Sequence, residues 1–499
     1  MTATPLPTII ALARAGALDH AWAQFCAAGY DRAGDDPAAL TVKGRLLKDY
    51  ALRSEGDERR HYYLRSAEAY RRAASLRPGT YPLINAATLS LLSGDRARAE
   101  EIAREVLDRI AREPEEPETP YWRAATEAEA LLLLGRTDDA RRAVYDAVDA
   151  APDAWEDHAS TLRQFLIIQA ELGGDTAWLD RLRPKRSVHY AADAAGAVPA
   201  DERHAISRFL DRENVGFAYG GLAAGPEIVA AELLLAGGAE LHIVLPGEAP
   251  SFAARFVDPF GADWRSRFDS ALEAATSVYE IRPLRTPPDP GMVALARLIV
   301  RGDALINADR LLGETLPMAI GATGAAPGAE AHAGRSGSNM LALAMIALGV
   351  GSGAEPGFED RLERIQAVLG SGGDARIAPH LSGDCILIGY ATPAQGADVA
   401  RRLQAQLGAT LPLRIAGHYG LVATVRDPFT GALRPTESGG AVAIEMAASM
   451  PPDTICVSRD FAAALAAHAG RAGDAAWIGE LAAFDGGSAI ALYALSRNA

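Results

Sequence analysis

The residues best suited to chemistry lie in the segment 214–247, NVGFAYGGLAAGPEIVAAELLLAGGAELHIVLPG. Gly220, Gly221 and Gly225 lead into Glu227 there. Glycines at such a turn permit positive φ and close backbone approach, and the first amides of a helix lack internal partners, so the turn can hold an anion or a phosphate. Glu227 has two readings: it receives a ligand hydroxyl, or it steadies the positive helix N-terminus. The full G-x-G-x-x-G spacing is absent, so a plain strand-to-helix connection stays open as the alternative.

Other reactive side chains are scattered. Cys26, Cys385 and Cys456 stand far apart, which excludes a disulfide framework and a Cys-rich zinc site. His418 has no second His or Cys at ligand spacing and reads as structural. The run 349–354 imitates G-x-G-x-x-A, but Pro356 and Gly357 prevent a helix from following at once. GRSGS at 334–338 is not a G-x-S-x-G nucleophile elbow.

The elements that must position Glu227 are legible from the pattern. A short apolar run at 215–219, a helical stretch at 227–235 and a second apolar run at 241–245 make a βαβ unit. Upstream, 187–191 predicts a strand and 201–212 a helix. A helix-covered parallel sheet is the economical architecture, with ligands at the carboxyl ends of its strands. The turns at 220–226 and 246–250, the latter with Gly247 and Glu248, fall at that end.

Before this unit the chain reads as helix after helix. Gly135 is followed by Ala140, Ala147 and Pro152; Gly94 and Ala99 repeat the first interval, and Ala73 and Pro78 repeat the last. Small alanines let paired helices approach, and the proline ends the second helix. The pattern resembles tetratricopeptide repeats, whose concave face implies a protein partner.

A chain of 499 residues suggests about three domains. Hydrophobic residues at 49% suffice for their cores, and a net charge of -15 argues against a general nucleic-acid binder. With no signal-peptide pattern and no long uncharged apolar run, the expectation is a soluble, cytoplasmic protein without a membrane segment.

Two further resemblances add to this reading. The stretch GFAYGGLAAGPEIVAAELLLAGGAELHIVLPGE, with FVDPFGADWRSRF after it, resembles the SLOG superfamily, a Rossmann-like group of nucleotide-binding proteins. It is most similar to the version found beside tetratricopeptide repeats and cyclase-like domains in bacterial signalling proteins, with Phe252, Val257, Trp264, Arg267 and Phe268 at the matching positions. The resemblance implies a nucleotide or nucleotide-derived ligand at Gly220, Gly221 and Gly225, with Glu227 near its ribose. The P-G-G-x-G-T-x-x-E motif of the glycoside-cleaving relatives is missing. Arg267 is a polar neighbour that a surface ion pair explains equally well.

The segments SGDCILIGYATPAQGADVARRLQAQ and LRIAGHYGLVATVRDPFTGALRPTESGGAVAIEMAASMPPDTICVSRDFAAAL resemble a class III adenylate or guanylate cyclase. Such cyclases hold two divalent metals, such as Mg2+, on two carboxylates and use an Asn and an Arg on the nucleotide. Asp384 matches one metal carboxylate. Ala347 stands near the other, Ser382 where a purine-reading lysine is common, and Glu445 and Ser449 at the places of the Asn and Arg.

The layout expected is therefore a helical repeat solenoid over 1–183, a Rossmann-like parallel sheet over 184–318, a Gly/Ala-rich linker over 319–339 and a degenerate α+β cyclase-like domain over 340–499. Its function is nucleotide sensing or scaffolding rather than catalysis, with a vestigial metal position at Asp384, self-association by analogy with cyclase dimers, and Mg2+ needed only if the cyclase-like site works. The alternative is an enzyme, either an N-glycosidase acting on a nucleotide or NAD-like substrate or a divergent cyclase.

Overall fold

The computed structural model describes residues 4–77, 79–112, 119–192, 198, 200–281, 290–320, 340–351, 353, 355–370, 374–408, 410–436, 440–472, 475–482 and 489–495. Most of the linker expected at 319–339, together with Pro78, Ala354 and the GRSGS run, lies outside them. The chain divides into two compact units, Met1–Pro184 and Lys185–Ala499.

The first unit is helical: α1 (Leu6–Arg14), α2 (Leu18–Ala27), α3 (Pro37–Arg53), α4 (Gly56–Leu76), α5 (Thr80–Leu92), α6 (Arg96–Arg112), α7 (Pro120–Leu133), α8 (Thr137–Ala150) and α9 (Trp155–Leu172). Neighbours in sequence pack as neighbours in space from α3 to α8. The recurring glycine has a physical cause. Gly94 and Gly135 adopt φ of 94° and 72°, and each turn closes with the same pair of hydrogen bonds back to the preceding helix. Asp95 N–H donates to Ser90 O and Arg136 N–H to Leu131 O, while each glycine amide reaches a carbonyl three residues back. That is a left-handed helix stop, which a residue with a Cβ adopts only under strain. Gly16 makes the same stop between α1 and α2, and Ala21, Ala99 and Ala140, each five residues on, are fully buried.

The second unit holds two sheets. The first contains β1 (Arg186–Tyr190), β2 (Val215–Gly220), β3 (Glu240–Leu245), β4 (Ser277–Glu280) and β5 (Thr315–Pro317), in the order β4-β3-β2-β1-β5. All pairings are parallel. The intervening helices are α10 (Ala200–Glu213), α11 (Pro226–Ala236), α12 (Ala249–Phe256), α13 (Ala262–Ala274) and α14 (Pro290–Leu311). Successive crossovers from β1 to β4 step in one direction, so their helices share a face, and α11 touches both α10 and α13. The return from β4 to the far edge at β5 carries α14 across β1, β2 and β3 on the opposite face.

The second sheet is mixed. It is built from β6 (Met340–Gly349), β7 (Ile377–Ser382), β8 (Cys385–Tyr390), β9 (Arg414–Arg426), β10 (Leu433–Pro435), β11 (Thr454–Ser458), β12 (Ala475–Leu481) and β13 (Ile490–Leu495). The order is β12-β13-β11-β9-β6-β8-β7, with β10 paired to β9. Its helices are α15 (Phe358–Leu369), α16 (Pro393–Leu407), α17 (Ala441–Ser449) and α18 (Arg459–Ala469). Alternation along β6 sends Leu343, Met345 and Ala347 into a core with Ala443 and Met446 of α17. Ala344 and Ile346 face Gly396 of α16.

Helices α14 and α18 join the two sheets. A Cβ at Gly302 would begin 1.9 Å from the Ala463 carbonyl oxygen, so only glycine permits this crossing. Beside it, Arg459 donates two hydrogen bonds to Asp303 Oδ2, at 3.2 Å and 2.7 Å. The guanidinium lies 4.1 Å from the Tyr279 ring centroid, and the Tyr279 hydroxyl donates to Asp460 Oδ1 at 2.7 Å. Asp303 is paired with Arg459 and Asp460 accepts the Tyr279 hydroxyl, so neither buried carboxylate is left without a partner.

Candidate ligand site

The carboxyl ends of β1, β2 and β3 surround a cavity of about 180 Å³. Its far wall is α14, through Val293, Ala296, Arg297 and Val300. The lining is apolar except at one corner, where Tyr190, Glu227 and Arg297 converge.

Glu227 stands in the first turn of α11 and is only 7% exposed. Its Oε1 accepts the Ala192 amide at 3.0 Å, and its Oε2 accepts the Ala223 amide at 2.8 Å. The carboxyl thus ties the end of β1 to the glycine turn after β2. Arg297 donates to the Ala192 carbonyl, so both backbone polar groups of this residue are held by side chains. Burial pushes the Glu227 carboxyl above its usual range, while the two amides and Arg297 pull it back.

The paired glycines have a packing explanation. A Cβ at Gly220 would begin 2.2 Å from the Tyr190 ring, and one at Gly221 would begin 2.6 Å from Glu227 Oε2. Gly225 adopts φ 103°, outside the region open to side-chain-bearing residues. Three of the turn's amides are committed, Ala223 to Glu227, Ala224 to Phe256 O and Ile228 to Ala223 O, and Pro226 has none. The Glu227 carboxyl occupies the place where the sequence reading expects an external anion.

Tyr190, the last residue of β1, is 1% exposed, and its hydroxyl has no hydrogen-bond partner among the described residues. Burial and the nearby Glu227 push that hydroxyl well above its usual range. An unsatisfied buried hydroxyl costs stability and needs a reason.

Of the positions singled out in the sequence, Gly221 and Glu227 line the cavity. Gly220 and Gly225 shape the turn behind them. Gly247, with φ 122°, precedes Glu248, the exposed first cap of α12, and neither lines the cavity. Arg267 is engaged elsewhere: it donates to both oxygens of Glu232, at 2.6 Å and 2.8 Å, and stacks 4.0 Å from the Trp264 ring centroid. Sequence reasoning missed Tyr190 and Arg297. A tyrosine at a strand's carboxyl end facing a glycine is the signal that could have found the first; Arg297 has none, being an ordinary residue within a long helix.

The second sheet presents a contrasting site. Asp384 is exposed in the two-residue turn between β7 and β8, where Ser382 pairs with Cys385 and Gly383 supplies φ 58°. Its carbonyl, rather than its carboxylate, is tied to the Val350 amide at 2.9 Å. Residues 340–351 contain no acid, and Ala347 is fully buried in the α17 core. The next acid along the chain, Glu355, bonds Arg361 at 2.8 Å. On α17, Ser449 Oγ donates to the Glu445 carbonyl at 2.9 Å, a local helix bond. His418 bonds Ser458 Oγ at 2.9 Å. No cluster of three or more His, Cys, Asp or Glu suited to a metal occurs among the described residues, and this corner does not fit a two-metal triphosphate site.

No described helix is long and apolar enough to cross a membrane. A family model described as Tetratricopeptide Repeats-Sensor matches residues 8–90. No curated protein matches the sequence. Among solved structures, the fold is similar to adenylate cyclases from Trypanosoma brucei in their monomeric state, at 12% identity over 33% of this chain and 93% of that one, with a TM-score of 0.26. The adenylyl cyclase CyaB from P. aeruginosa matches at 11% identity over 32% and 94%, with a TM-score of 0.24. A bacterial light-regulated adenylyl cyclase matches at 12% over 32% and 52%, also with a TM-score of 0.24. The chain is thus similar to sensor-type tetratricopeptide repeats over residues 8–90 and has a weak structural likeness to adenylyl cyclases.

Proposed function

We propose that this chain is a ligand-sensing regulatory protein. A nucleotide-derived small molecule enters the cavity of the parallel sheet, the helical repeats engage a protein partner, and the cyclase-like sheet acts as a non-catalytic packing body open to self-association. The observation that carries this reading is the course of α14. Val293 to Val300 form one cavity wall, and Gly302 and Asp303, less than a turn further on, lock onto α18 of the second sheet. A ligand pressing on that wall acts on a helix that holds the second sheet less than a turn further on, which gives binding a route to a structural output. The absent second acid and the burial of Ala347 favour packing over phosphoryl chemistry at the second sheet.

The reading is tested by incubating the purified chain with ATP, GTP and NAD in magnesium or manganese, following products by chromatography and melting temperature in parallel. The expectation is a ligand-dependent rise in melting temperature without turnover. Turnover lost in Asp384→Ala would establish a cyclase, and turnover lost in Glu227→Ala a glycosidase.

A further inference from the structure

Resting on that reading, we propose that the cavity recognises the uncharged nucleoside part of its ligand through the Tyr190 hydroxyl and Glu227, and leaves any phosphate outside.

The argument begins with what the site has already filled. An anion-binding turn offers free amides and an empty concavity. Here the amides of Ala192 and Ala223 are taken by Glu227, that of Ala224 by Phe256 O, and the space above Gly221 by the same carboxyl. A phosphate brought to this turn would meet a carboxylate at the amides it needs.

What is left open has a different character. The walls are Val244, Pro246, Phe252, Phe256, Val293 and Val300, which suit a flat, weakly polar ring. Tyr190 is among the lining residues, and its hydroxyl is buried and without a partner among the described residues. It is fixed there because its ring packs over Gly220. A hydroxyl can both donate and accept, and each Glu227 oxygen retains a lone pair beyond the one its amide uses. Together they suit a neutral group that donates and accepts, such as a sugar hydroxyl or a base edge. A ligand supplying that partner also removes the unsatisfied hydroxyl, so recognition and stabilisation coincide.

Calorimetric titration of the full chain with adenosine, guanosine, cytidine and uridine, with their 5′-mono- and triphosphates, and with inorganic phosphate tests the inference on wild type and Tyr190→Phe. The expected result is that one nucleoside binds within about threefold of its triphosphate, that inorganic phosphate does not compete, and that Tyr190→Phe weakens binding by about tenfold or more. Ligand-free Tyr190→Phe melts at or above the wild-type temperature, because it loses only an unsatisfied hydroxyl. A triphosphate binding a hundredfold tighter than its nucleoside, competition by inorganic phosphate, or unchanged affinity in Tyr190→Phe overturns this inference while leaving nucleotide sensing intact. A ligand-free Tyr190→Phe that melts several degrees lower also overturns it, by showing the hydroxyl to be satisfied within the protein. Failure of every nucleoside and nucleotide to bind overturns both.

Discussion

The two sheets of the second unit end in corners of opposite character. At the parallel sheet, Tyr190, Glu227 and Arg297 arrive from a strand end and two helices and meet in a shielded cavity. At the mixed sheet, Asp384 projects alone from a hairpin turn, and the strand that would face it carries no acid. Buried convergence is expensive to maintain, because each polar group must find a partner, whereas an exposed turn aspartate costs almost nothing. A motif match therefore says less about function than the company its residues keep.

The largest effect is expected where the sheets join. Gly302→Val drives a side chain into the Ala463 backbone and should destabilise the second unit by about 3 kcal/mol or more, read by thermal unfolding. An unchanged melting temperature would mean that the two sheets are not held together at this crossing.

Next is Glu227→Ala, which leaves the Ala192 and Ala223 amides without their acceptor. The expected loss is about 2 kcal/mol in denaturant unfolding. A neutral result would remove the clamp from the account and restore the open anion turn.

A smaller effect should appear on acidification. Burial lowers His189 and His242 to about 4, with Arg301 acting on the first and Arg459 and Arg310 on the second. Their folded values lie below the ordinary 6.5, so the stabilisation is complete above pH 6.5 and is lost as pH falls toward 4. The loss should be on the order of 1 to 2 kcal/mol after allowance for partial exposure. Melting curves across that window should flatten in His242→Asn, whose wild-type ring stacks on Tyr219 and bonds Ser277.

The smallest effect belongs to Asp384→Ala, which should shift stability by less than about 0.5 kcal/mol. A larger change would reveal a role at the hairpin that its exposure does not suggest.

How legible this was in the sequence depended on the range of the interactions. The βαβ elements around Glu227 match the expected bounds to within a residue, because alternation, glycine and proline are local signals. The recurring Gly-to-Ala interval of the repeats was visible for the same reason. The joining of the sheets was not: Gly302 looks like a helix weakness until Ala463 is placed against it. The glycine pair at 220 and 221 invited a phosphate reading, yet both sites are filled by Tyr190 and Glu227, one of them thirty residues upstream. Arg267 carried a family-like pattern, and its guanidinium is spent on Glu232. Local sequence reports elements well, but it cannot report which distant side chain fills a gap.

One titration weighs the two corners directly. Whichever nucleoside or nucleotide raises the melting temperature of the wild-type chain should be titrated calorimetrically into Glu227→Gln and Asp384→Ala. Binding weakened at least tenfold in Glu227→Gln and unchanged in Asp384→Ala is the outcome predicted here. Binding lost in Asp384→Ala and kept in Glu227→Gln would place the ligand at the β7–β8 hairpin and contradict the assignment of the cavity.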